Sequence, residues 1–96
     1  MGMWATIVGY QSCTDYITGL VAHTESNFET LKTFVETQCP LIRFDIPDAT
    51  YLAWLDISKL PCTPEVFLQT LEDVGHVGFM GGHHYGDANF IRINCG

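Results

Sequence analysis

"LIRFDIPDATYLAWLDI", residues 41–57, is the stretch on which the fold turns. Ile42, Phe44 and Ile46 alternate with polar positions, Pro47-Asp48 is a turn signal, and Tyr51 to Ile57 supplies a second strand-like run. Because successive strand side chains point to opposite faces, this pattern predicts a hairpin with one apolar face. Two strands alone are barely stable in water, so such a hairpin needs more strands and a covering layer. The flanking sequence offers both.

Upstream, from Ser12 to Cys39, the residues Ile17, Leu20, Val21, Phe28, Leu31 and Val35 follow helical spacing. An S-x-x-D pattern at Ser12 to Asp15 predicts a capping box at the start, and Pro40 ends the helix. A further apolar helical stretch, Met3 to Tyr10, precedes it; a break is predicted at Gly9, and Trp4 and Ile7 are left needing a partner. Downstream, Thr63 is a good N-cap and Pro64 suits the first helical position. Phe67, Leu68, Leu71 and Val74 form a predicted buried stripe, and Gly75 suits the stop.

"HVGFM" (76–80) and "NFIRIN" (89–94) read as two last short strands joined by the glycine-rich connection Gly81 to Gly86. The order helix, two strands, helix, two strands predicts an α+β fold, a small sheet of about four strands packed against helices, with residues 1–96 as a single domain. In the last strand Ile91 and Ile93 face one way while Phe90, Arg92 and Asn94 face the other. Arg92 is then either a solvated arginine or an anion receptor.

Ninety-six residues at 47% hydrophobic composition allow one small core. Eleven acidic residues against four Lys and Arg give a net charge of −7. That balance opposes phosphate backbones and anionic membrane surfaces, so neither nucleic acid nor membrane is an expected partner. No run approaches the ~20 apolar residues of a membrane span, and the start lacks a basic leader region, so a cytoplasmic location is expected. Cys13, Cys39, Cys62 and Cys95 form no C-x-x-C pair and are expected to be reduced. With only Lys32, Arg43, Lys59 and Arg92 as cations, each is a scarce resource for holding an anion.

Other constellations carry less. His76, His83, His84 and Asp87 lack a spacing that fixes ligand geometry, so no metal site is expected. Gly75, Gly78, Gly81, Gly82 and Gly86 match no phosphate-loop pattern and read as backbone freedom for a tight loop. Lys32 on the polar face of the long helix and Lys59 in a connection read as solvated lysines rather than catalytic amines.

Several of these segments together resemble the C-terminal small domain of fold type I pyridoxal-phosphate enzymes, aminotransferases and C–S lyases, most nearly the MalY/PatB branch. The carrying features are the long helix with Asn27 and Phe28, the following proline, "PDATYLAWLD", the loop Gly82 to Gly86 with its aromatic, and an aromatic-x-arginine-x-asparagine strand. Ala49 stands where that family has a glycine, and Gly81 where a proline is common. The resemblance implies that Arg92 binds the α-carboxylate of an amino-acid substrate. It also implies that the lysine and the cradle for pyridoxal phosphate lie on a larger domain outside this chain.

On that footing the chain is expected to be part of an aminotransferase or cystathionine β-lyase, a homodimer in the parent, inactive and without bound cofactor by itself. An uncovered apolar face would drive self-association. The alternative is a self-contained α+β binding module that uses its sheet face or the Gly81 to Gly86 loop for a small ligand or partner protein.

Overall fold

The computed structural model describes all 96 residues. Helix α1 (Gly2–Ser12) runs almost directly into α2 (Thr14–Gln38). Strands β1 (Arg43–Phe44) and β2 (Leu52–Asp56) follow, then α3 (Pro64–Asp73) and β3 (Met80–Gly81). A short 3-10 turn (Gly82–Tyr85) leads to β4 (Phe90–Asn94).

The four strands form one antiparallel sheet in the order β1-β2-β4-β3. The α+β prediction therefore holds. Ala53 opposite Ile93 and Leu55 opposite Ile91 set the inward face. Against it pack Phe28 and Val35 of α2, with Phe44 and Ile57 closing the core and Phe67 and Leu68 of α3 at its side. Phe28 and Phe44 meet with ring centroids 6.0 Å apart.

Only part of the long helix takes part. Thr24, Phe28 and Val35 are its buried residues, whereas Ile17, Val21 and the whole of α1 are exposed. Trp4 is 73% exposed and Ile7 42% exposed, as their exposed-looking positions in the sequence suggest. The projecting rod gives extents of 50 × 29 × 24 Å and a radius of gyration of 16.6 Å, against about 12–13 Å for a rounded chain of this length.

Several local expectations are corrected. The break between the helices falls at Cys13, not Gly9, and no side chain caps α2, so the Ser12–Asp15 capping box does not form. The reason is that α1 continues through Ser12, leaving it helical rather than extended as an N-cap must be. Pro40 does end α2, with Cys39 already out of helical geometry.

In α3 the Thr63 hydroxyl accepts from the Val66 N–H at 3.4 Å and Pro64 begins the helix, as predicted. The predicted stripe is not fully buried: Phe67, Leu68 and Leu71 are half-buried, and Val74, one position past the last helical residue, is 74% exposed. The left-handed residue after α3 is His76 (φ 54°), not Gly75. The segment predicted as a strand over 76–80 pairs only at Met80–Gly81.

Candidate functional site

The outward face of the sheet is not covered by the helices. Its residues follow from the register: Arg43 opposite Asp56, Asp56 opposite Phe90, Trp54 opposite Arg92, and Met80 opposite Arg92. Two arginines thus share one face but meet different neighbours. Arg43 faces the Asp56 carboxylate, whose charge it helps to stabilise. Arg92 lies with its guanidinium over the ring of Tyr85, 4.3 Å from the centroid.

Arg92 is half-buried, and no side-chain hydrogen bond within the chain engages it. Beside it lies a concavity of about 460 Å³ bordered by Leu52, Phe79, Met80 and Asn94. A guanidinium offers five donors in a planar fork that matches a carboxylate. Here that fork is attached to an open hollow.

An aromatic cluster supports it. Trp54 stacks on Phe90 with centroids 5.2 Å apart and planes 9° from parallel, and meets the edge of Tyr85 at 5.9 Å. Tyr85 reaches this place through the glycines around it. A Cβ on Gly82 would run into the carbonyl oxygens of Asp87 and Phe90, so the turn can lie flat on the start of β4. Gly86 then takes a φ of 96°, a left-handed conformation that glycine adopts without cost.

Tyr85 was not singled out as a functional residue by sequence reasoning. The loop aromatic and its two flanking glycines were visible, but the strand register that brings them beneath Arg92 was not.

A second concavity, about 360 Å³, lies between the middle of α2 and the turn before β2, walled by Leu20, Val21, Phe28 and Tyr51. It carries Glu25 and Asp48 and no cation, so it does not suit an acid ligand. The rings of His83 and His84 lie 4.0 Å apart and tilted by 39°, and no group of three His, Cys, Asp or Glu side chains gathers as a metal site. No helix is long and apolar enough to cross a membrane.

A pyridoxal-phosphate cradle needs a lysine amine to hold the aldehyde. Lys32 is half-buried on α2 and Lys59 is exposed after β2; neither borders the hollow beside Arg92. The residues of this chain do not make that cradle.

No protein-family model matches the chain. It is 28% identical over 98 residues to Protein MalY of Escherichia coli, covering 100% of this chain and 25% of MalY. It is 29% identical over 89 residues to Cystathionine beta-lyase PatB of Bacillus subtilis, covering 91% of this chain and 23% of PatB. Its fold superposes on cystalysin from Treponema denticola, whose crystal structure contains pyridoxal 5'-phosphate, with a TM-score of 0.86 and 26% identity over 92% of this chain and 23% of that one. The chain spans about a quarter of the length of the relatives it matches. In sequence this chain is similar to MalY and PatB, and in fold to the matching quarter of the pyridoxal-phosphate enzyme cystalysin.

Proposed function

We propose that these 96 residues form one small domain carrying the substrate α-carboxylate receptor of a pyridoxal-phosphate-dependent aminotransferase or C–S β-lyase, with Arg92 as the gripping group. The observation that carries this reading is the Arg92 guanidinium, set beside an open hollow with its hydrogen-bonding fork uncommitted. The likeness to MalY, PatB and cystalysin supports the reaction class.

Bound elsewhere in such an enzyme, pyridoxal phosphate supplies the electron sink for chemistry at the substrate Cα. The role of this chain is to hold and orient. Two parallel charge-assisted hydrogen bonds from Arg92 fix the carboxylate in one plane and so fix the direction of the other Cα bonds. In a chain of net charge −7 that receptor also offsets a field that repels acids.

The test is a chimera in which this chain replaces the matching quarter of MalY. Arg92→Lys keeps the charge but loses the fork. A charge-assisted bond contributes about 1.5–3 kcal/mol, so KM for the amino-acid substrate is expected to rise about tenfold or more. A chimera that shows the bound cofactor's absorbance, yet keeps its KM when Arg92 becomes lysine, overturns the reading.

A further inference from the structure

We infer that Tyr85 is the positioning residue for Arg92: its ring holds the guanidinium at the edge of the hollow while leaving the N–H fork free for an incoming carboxylate. This rests on the carboxylate-receptor reading of Arg92 and adds to it the device that keeps the receptor ready.

On an acidic surface carboxylates stand close to arginines: Arg43, on the same sheet face, lies opposite Asp56 and helps to lower its pKa, although no hydrogen bond or ion pair joins the two side chains. A carboxylate that closed on a guanidinium from within the chain would occupy the in-plane donors that a ligand needs. A ring lying against the flat face of the guanidinium attracts the charge through its quadrupole and uses none of those donors. Arg92 has this second kind of neighbour, at 4.3 Å.

The ring is itself constrained. The turn Gly82–Tyr85 is anchored by the Asp87 N–H donating to the Gly82 carbonyl at 3.1 Å, and the edge of Tyr85 meets Trp54, which is stacked on Phe90. Phe90 and Arg92 occupy the same face of β4, so the support returns to the strand that bears the arginine. A long side chain restrained in this way gives up less rotamer freedom on binding than one that is loose in solvent.

The 96-residue chain can be tested directly by NMR, with acetate as the probe. In the unsubstituted chain the Arg92 Cδ protons are expected upfield of those of Arg43, because they feel the Tyr85 ring. Tyr85→Leu abolishes that displacement and Tyr85→Phe restores it. Titration with acetate, followed at the Arg92 Nε–Hε signal, is expected to weaken about two- to five-fold in Tyr85→Leu and to recover in Tyr85→Phe, the factor set by an exposed cation–π contact.

Arg92 protons with no ring displacement in the unsubstituted chain overturn the inference without any substitution. So does equal acetate binding by the leucine and tyrosine forms. If acetate produces no saturable response at Arg92 in the unsubstituted chain, the carboxylate-receptor reading itself fails.

Discussion

Asn27, in the middle of the long helix, donates a hydrogen bond of 2.8 Å to the backbone carbonyl of Cys95, 68 positions later. The same amide nitrogen lies 3.1 Å from Nε2 of His23, one turn back. Cys95 in turn donates its N–H to the carbonyl of Tyr51. One side chain thus ties α2 to the end of β4 and, through it, to the start of β2. Asn27→Ala leaves the Cys95 carbonyl without its donor in a part-buried place, and is expected to cost about 1–2 kcal/mol. In a domain of this size that lowers Tm by about 5–10 °C. Asn27→Asp sets an acceptor against an acceptor and is expected to be worse than alanine; thermal melting of the two variants checks the order.

Gly82 marks the place where the loop lies against the sheet. A methyl group there meets the carbonyls of Asp87 and Phe90, both backbone atoms that cannot swing aside. Gly82→Ala is expected to destabilise by about 3 kcal/mol or more. Gly86→Asn, at a position with open space and positive φ, is expected to cost under about 1 kcal/mol. Urea midpoints for the two variants test this contrast, and comparable losses at both positions contradict it.

Asp56 accepts a 2.8 Å hydrogen bond from the Ser58 N–H. Its carboxyl is held below the ordinary aspartate value of 3.8, chiefly by hydrogen bonds from the Ser58 side chain and backbone, with smaller help from the charges of Arg43 and Lys59. The folded state therefore holds this proton less tightly than the unfolded chain does. The resulting stabilisation is complete above that ordinary value and disappears as acid takes the pH down through the folded one. Comparing urea midpoints of the native chain and Asp56→Asn, the native advantage is expected at about pH 7 and should shrink towards about pH 2.

Burial pushes the Cys95 thiol up from its ordinary 9.0, against a smaller opposing effect of its hydrogen bond with the Ala53 backbone. Cys62 is exposed. Since the thiolate is the reacting form, iodoacetamide at about pH 8 is expected to modify Cys62 about tenfold faster than Cys95. Mass spectrometry of briefly treated chain reads the two rates, and the difference should vanish in denaturant.

The kinds of element and their order were legible because they depend on short-range pattern. The alternation of Ile42 and Phe44, the cap at Thr63 and the stop at Pro40 each act within a few residues, and the structure bears all three out. The same locality misled at Ser12, where a cap-like pattern was overridden by a helix already running through it. Val74 has the right spacing for a buried stripe, yet nothing in that spacing says that the helix ends at Asp73 and leaves it in solvent.

The sequence by itself determined that a helical layer would cover a small sheet and that Arg92 would face away from Ile91, since the extended backbone of a strand turns successive side chains to opposite faces whatever the strand pairs with. Only the tertiary structure decided what Arg92 would touch. The pairing of Trp54 with Arg92 and the fold of the Gly82–Tyr85 turn onto β4 are contacts between separate segments, fixed by packing and register rather than by any local pattern. For the same reason the periodicity of the long helix could not show that its buried residues would begin only at Thr24.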